Sequence, residues 1–282
     1  REKMKKYRKP KGTIDFLPEI NNERQFVLGI FRNVMKRSAF REIETPVIEH
    51  AELFAAGVGD ITEIVNKQMY VFKDRSGRNL ALRPESTAAI ARACIENQLL
   101  SRSPSGTTRL FFIEPMFRYE RPQAGRYRQH TQYGVELIGD GSVLADVDVI
   151  SAAVLFLKEV GLSDLSLEIN SIGCPKCQGD YEQKLVRYLK RRVRELCEDC
   201  QIRLEKNPLR VFDCKNENCQ KVMEKAPPTT QFLCQDCKGK FKQLCKYLQN
   251  LGFEYKINPK LVRGLNYYTN TVFEIVSSRL GS

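Results

Sequence analysis

Five arginines and three glutamates lie within Arg109–Glu136, RLFFIEPMFRYERPQAGRYRQHTQYGVE. The apolar run Leu110–Ile113 leads into Phe117, Arg118 and Glu120. A glycine-containing turn follows with Arg121, Arg126 and Arg128 around it, and a second β-rich run ends in Tyr133-Gly134-Val135-Glu136. Guanidinium groups hold phosphates through two parallel charge-assisted hydrogen bonds. A glutamate between them can accept from an exocyclic amine such as that of adenine. The stretch reads as a hairpin for a nucleotide whose phosphates bend over a sheet. The competing reading is a salt-bridged surface hairpin, since exposed ion pairs are common and contribute little.

Cysteines form the second constellation. Cys174-x-x-Cys177, Cys197-x-x-Cys200, Cys214-x4-Cys219 and Cys234-x-x-Cys237 place eight of the ten in close pairs. A CxxC turn offers two thiolates to one tetrahedral ion, and two such turns complete a structural zinc site. Eight thiolates suit two ions, or one ion with spare pairs. Which pairs combine is not readable from spacing. Iron–sulfur clusters use similar ligands; structural zinc is the expectation. Cys94 and Cys245 have no close partner and read as packing residues.

The elements that must position these groups follow from periodicity. Helical apolar spacing covers Asn21–Arg37, and Phe40–Ile48 alternates with Pro46 inside it, which places that strand at an edge or bend. Ala51–Val58 reads as a short helix. Met69–Phe72 and Leu80–Leu82 flank a polar turn and read as a hairpin. Pro84-Glu85-Ser86-Thr87 opens a helix over Thr87–Leu100. A helix over Ala145–Val160 and a strand over Leu165–Ile169 come next. Residues 174–250 differ in character, with helical pattern at Tyr181–Leu196 and Phe241–Leu251 and 17 Lys and Arg against 10 Asp and Glu. Strand pattern returns at Phe253–Ile257 and Leu261–Val276. The fold class is α+β: a mainly antiparallel sheet flanked by helices, interrupted by a mostly helical insert. The expected division is a core of residues 1–170 and 251–282 with a Cys-rich insertion domain at 171–250.

Composition narrows the function. The chain has 282 residues, a net charge of +12, no Trp and two His, His50 and His130. The charge favours a polyanionic partner. Two histidines leave little for a His-based triad or a His-rich metal site. No apolar run approaches the length that spans a bilayer, and the basic start REKMKKYRKPKG lacks the apolar stretch of a secretory signal. A reducing, cytoplasmic compartment is expected.

Phe117-Arg118-Tyr119-Glu120-Arg121-Pro122 resembles motif 2 of the class II aminoacyl-tRNA synthetases, and the Pro46 strand with its preceding helix resembles motif 1, the dimer element. KGTIDFLP, LRPESTAAIAR, GRYRQHTQYGVE and LVRGLNYYTNTVFE, in order along nearly the whole chain, resemble the histidyl-tRNA synthetases. The resemblance implies a class II fold, a homodimer, and L-histidine, ATP with Mg, and tRNA(His) as partners. It implies that Glu85, Thr87 and Gln132 hold the α-amino group of histidine, and that Glu136 faces the imidazole with Tyr268 of the pair Tyr267-Tyr268. A carboxylate and a phenol can satisfy both ring nitrogens, and a wrong side chain would strand buried polar groups. Arg118 would bind the α-phosphate of ATP, Glu120 the adenine amino group and Arg126 the phosphates. Arg263 would stabilise charge on the α-phosphate as the carboxylate attacks. Gln123 would lie near the tRNA acceptor end.

Two positions depart from the family pattern. His130 stands where an aromatic, usually Phe, stacks on adenine, and Asn266 stands where Asp is usual. The chain stops at Ser282, just after Val272–Val276. The family continues with motif 3, its ATP-binding arginine and an anticodon-binding domain. The expectation is a chain that keeps the histidine pocket but adenylates weakly or not at all. The alternative is a non-ligase paralogue, the regulatory subunit of the ATP phosphoribosyltransferase of histidine biosynthesis. That family tends to lose the insert and erode motif 2, both of which are present here.

Overall fold

The structure is a computed structural model and describes residues 7–58, 68–123, 125–263 and 267–277. It divides into two compact units, 1–140 and 141–282.

In the first unit, helix α1 spans Pro18–Arg37. Proline at its first turn, Glu19 beside it, and Lys36 and Arg37 in the last turn all suit the helix dipole. Two short strands follow, β1 (Arg41–Glu42) and β2 (Ile48–His50), then helix α2 (Ala51–Val58). The alternating run Phe40–Ile48 is therefore not one strand. Pro46 cannot donate to a ladder, and the chain changes sheets around it: β1 pairs with β5 (Thr108–Phe117) and β2 with β4 (Asn79–Leu82). Strand β3 (Tyr70–Lys73) completes the hairpin with β4 around an Asp74 turn. Helix α3 occupies Thr87–Glu96, one turn shorter than its apolar pattern, because Gln98 takes a left-handed conformation (φ 54°).

β5 and β6 (Gln129–Ile138) pair antiparallel over their whole length, Thr108 opposite Ile138 and Phe117 opposite Gln129. Directly opposed residues share a face. One face carries Leu110, Phe112, Glu114 and Met116 opposite Glu136, Gly134, Gln132 and His130. Its apolar members pack with Ile90 and Cys94 of α3. The other face meets α1, where Phe31 packs edge-on to Phe111 at 5.8 Å and against Tyr133 at 5.0 Å.

In the second unit, helix α4 (Val143–Glu159) starts at Ser142, whose hydroxyl accepts from the Ala145 amide. Strand β7 (Leu165–Ser171) lies between β8 (Tyr255–Ile257), parallel, and β9 (Thr271–Ser277), antiparallel. Among the described residues antiparallel pairing dominates, in three three-stranded sheets with parallel partners only at β1–β5 and β7–β8. Between β7 and β8 run the helices α5 (Pro175–Lys190), α6 (Glu198–Lys206), α7 (Glu217–Glu224) and α8 (Gln235–Asn250), with 3-10 turns between them. α5, α6 and α7 enclose their own core around Leu185, Leu189, Cys200 and Cys219. α8 does not join it. Leu244 and Leu248 pack with Val147, Ile150 and Val154 of α4 and with β7, so the last helix of the Cys-rich stretch belongs to the core beneath the sheet.

Candidate active site

The site face of the β5–β6 hairpin rests on a buried ion pair that the sequence reading missed. Arg83 and Glu114 are each 1 % exposed, with Nη1 and Oε1 2.8 Å apart. Glu114 accepts from the Thr45 amide (2.6 Å) and hydroxyl (3.0 Å) and from the Ser86 hydroxyl. Arg83 donates to the carbonyls of Thr45 (2.7 Å) and Pro115 (2.9 Å). A carboxylate inside the apolar run LFFIEPMF was the available signal, because such a group is buried only with a partner.

Arg83 leads directly into Pro84-Glu85-Ser86-Thr87, so the pair fixes the start of α3. Glu85 is buried and accepts from the amides of Thr87 (2.8 Å) and Ala88 (2.9 Å), at the positive end of the helix. The Thr87 hydroxyl donates to Glu136 Oε1 at 2.6 Å. Burial raises the pKa of Glu85 despite those amides and the charge of Arg118. Burial also raises that of Glu136 to about 7, against the Thr87 hydrogen bond and with the help of the Glu85 charge. One buried and one half-buried carboxyl thus flank a single hydroxyl, which favours a cation. Gln132 stands on the same face, two residues from Gly134, where a Cβ would sit 2.8 Å from the Phe112 ring.

Further along the hairpin the chemistry turns basic. Arg118 is held by the Pro84 carbonyl, to which Nε donates at 2.8 Å, and its amide donates to Arg128 O at 2.9 Å. Arg126 Nη1 lies 3.6 Å from Glu120 Oε2, and the arginine is largely exposed. Arg128 covers the Tyr119 ring at 3.8 Å. The leading loop is tied here as well: Gly12, at φ +83°, accepts from the Arg128 amide, and a Cβ there would strike the Arg128 side chain at 2.7 Å. His130 is half-buried. Burial and then the charge of Arg118 lower its pKa, against Glu120, so its ring is a neutral aromatic at pH 7. Gln123 is exposed and bridges to Arg126 across the turn.

The remaining candidates lie in the second unit. Arg263 donates from Nη2 to the Phe273 carbonyl of β9. Tyr267 and Tyr268 stack at 5.0 Å with their planes 18° apart, and Tyr268 packs on Ile172, Leu261, Val262 and Val272. Arg263 and Tyr268 line a cavity of about 270 Å³ with Gln178, Glu182 and Asn207. Asn266 lies outside the described residues. The eight paired cysteines gather into two groups of four, Cys174, Cys177, Cys234 and Cys237, and Cys197, Cys200, Cys214 and Cys219.

The family model described as histidyl-tRNA synthetase matches residues 12–282. The chain belongs to the histidyl-tRNA synthetase family. It is 48% identical over 273 residues to a histidine–tRNA ligase of Caldanaerobacter subterraneus subsp. tengcongensis, which covers 97% of this chain and 65% of the relative. It is 46% identical to a histidine–tRNA ligase of Geobacillus sp., over 96% of this chain and 64% of that one. The chain therefore spans just under two thirds of the length of these curated relatives. The crystal structure of the apo histidyl-tRNA synthetase of S. aureus superposes with a TM-score of 0.75 at 35% identity, covering 96% of this chain and 61% of that chain. This similarity confirms the α+β class II fold. A structure described as an ATP phosphoribosyltransferase regulatory subunit/histidyl-tRNA synthetase from Bacillus halodurans C shares the fold at 24% identity and a TM-score of 0.72. Among the described residues no helix is long and apolar enough to cross a membrane.

Proposed function

We propose that the chain carries the catalytic region of a histidine–tRNA ligase. The reaction joins histidine to ATP, the histidine carboxylate oxygen attacking the α-phosphorus and pyrophosphate leaving. The resulting histidyl-adenylate then acylates tRNA(His). The observation that carries this reading is the pair of buried Glu85 and half-buried Glu136 around Thr87, with Glu136 on the same face as Gln132. An α-ammonium compensates the burial that raises the pKa of both carboxyls, and the Glu85 charge that adds to it at Glu136. An imidazole supplies Glu136 with a partner able to take or give one proton near neutrality.

Arg118, held by its bond to Pro84 O, is assigned to the α-phosphate. Glu120 and Arg126 take the adenine amine and the outer phosphates, and the neutral ring of His130 stacks on the base. Gln123, at the exposed tip, is assigned to the tRNA end. Arg263, Tyr267 and Tyr268 are assigned to transition-state charge and to histidine. Magnesium enters as the counter-ion of ATP. Glu85 already accepts two amides and Glu136 a hydroxyl, so neither is assigned to the ion. The proposed setting is a cytoplasmic homodimer, which the exposed apolar residues Phe26, Val47 and Ile48 of the motif 1 region support.

The test is ligand selectivity by calorimetry. L-histidine and histidinol, which keep the amine and imidazole, are expected to bind. Imidazolepropionate, which lacks the amine facing Glu85, is expected to fail. Equal binding of imidazolepropionate and histidinol would remove the role of the buried carboxylates.

A further inference from the structure

The folded chain resolves the pairing that cysteine spacing leaves open. The first CxxC combines with the fourth, and the second with Cys214 and Cys219. In each group all four sulfurs lie within 4.8 Å of one another. A tetrahedral zinc ion 2.3 Å from each ligand holds its sulfurs about 3.8 Å apart. The Cys174 and Cys177 sulfurs are separated by 3.6 Å, and those of Cys197 and Cys214 by 3.7 Å. Disulfides need about 2.05 Å, and all ten cysteines are free. A polynuclear iron–sulfur cluster interposes several irons and sulfides between its cysteines, more than a group this tight encloses.

The surroundings are built for thiolates. Cys174, Cys197 and Cys234 each immediately precede a helix, α5, α6 and α8, where the dipole favours negative charge. Backbone amides point at the sulfurs: Cys234 N to Cys177 Sγ at 3.1 Å, Cys197 N to Cys219 Sγ at 3.2 Å, and Asn216 N to Cys214 Sγ at 3.4 Å. Such donors orient and stabilise ligating sulfur.

We propose that residues 174–237 hold two zinc ions in nested tetrathiolate sites, and that the outer ion clamps the loop bearing Tyr267 and Tyr268. The inner site closes 197–219 and pins α6 and α7 to the small core around Leu185 and Leu189. The outer site joins the start of α5 to the start of α8. Gly173, at φ +71°, seats it, since a Cβ there would lie 2.5 Å from Cys177 Cβ and 2.9 Å from Leu233. Two bonds run from this site to the tyrosine loop. Gln178 Nε2 donates to Tyr268 O at 2.9 Å, and Asn270 N donates to Gly173 O at 2.8 Å. Loss of the outer ion frees the turn of α5 that holds Tyr268.

The metal content of the purified chain, by plasma mass spectrometry, is expected to be two zinc per chain. Cys237→Ser and Cys200→Ser each drop it to one, while Cys94→Ser and Cys245→Ser keep two. Hydrogen exchange in 267–273 rises in Cys237→Ser and is unchanged in Cys200→Ser. For variants that fail to fold, mercurial titration of the unmodified chain takes their place and releases two zinc as eight thiols react. Iron in place of zinc, or fewer than two zinc, would overturn the sites. Unchanged exchange at 267–273 in a folded Cys237→Ser would overturn the clamp. Both readouts are independent of the ligase reading.

Discussion

Thr87 donates its hydroxyl to Glu136 across 2.6 Å, joining the first residue of α3 to the C-terminal part of β6. This bond and the burial around it set the protonation of Glu136. Burial raises its carboxyl from 4.5 to about 7, so the native chain holds a proton there that the unfolded chain has released. Stability from this group is present below about pH 4.5 and is lost as pH rises toward 7. Glu136→Gln, which stays neutral, is expected to flatten that slope. It should gain up to roughly 3 kcal/mol on the parent at pH 8, read by urea unfolding at pH 5 and pH 8. Parallel profiles for the two proteins would contradict the buried titration.

Histidine binding should carry the same signature. The complex needs one proton shared between Glu136 at about 7 and an imidazole with an ordinary pKa of about 6.5. Affinity is expected to peak between those values and fall about tenfold per pH unit well outside them. Thr87→Val removes a donor that favours the carboxylate and shifts the peak upward. A pH-independent affinity would argue against Glu136 as the imidazole partner.

Much of this was legible in the sequence, for local reasons. The β5–β6 hairpin was visible from the apolar run Leu110–Ile113, the glycine-containing turn and the β-rich run ending at Glu136, and α2 was read as a short helix. Glu85, Thr87, Gln132 and Glu136 were singled out by resemblance, and the fold brings Thr87 to Glu136. Other features are long-range or too short to show periodicity. Arg83 and Glu114 are 31 positions apart and meet only once β4 and β5 are placed. α6 and α7 have nine and eight residues, two turns each, which is too little for an apolar stripe to stand out. The change of sheet at Pro46 defeats a strand reading based on alternation. Cysteine pairing depends on how α5 and α8 converge.

The Arg83–Glu114 pair is expected to be costly to break from either side. Glu114→Gln leaves a buried guanidinium uncompensated and should cost about 3–5 kcal/mol. Double replacement by apolar residues of similar volume should recover part of that loss. A single-variant cost below about 1 kcal/mol in denaturant unfolding would show that water reaches the pair.

Gly134 separates Gln132 from Glu136 on the site face, and its missing side chain leaves room for the Phe112 ring. Gly134→Ala should displace Phe112 at about 1–3 kcal/mol of stability. It should also weaken histidine binding more than tenfold by moving the floor beneath both polar neighbours. Stability loss with full histidine affinity would place the ligand elsewhere.

Arg118 and Arg126 should differ in their effect on ATP. Arg118 is half-buried and fixed by Pro84 O. Its replacement by alanine should weaken ATP binding at least tenfold. Arg126 is 57% exposed, and its replacement should have a smaller effect that fades as salt rises. Fluorescent-nucleotide displacement at low and high salt checks both, and a larger loss at Arg126 would invert the assignment.

The most direct test of the account is calorimetric titration of the chain with L-histidine beside its Glu136→Ala variant. Saturable binding in the micromolar to millimolar range, abolished by the substitution while the variant stays folded, is the predicted result. Histidine binding that survives Glu136→Ala unchanged, or no binding by the parent chain, would contradict it.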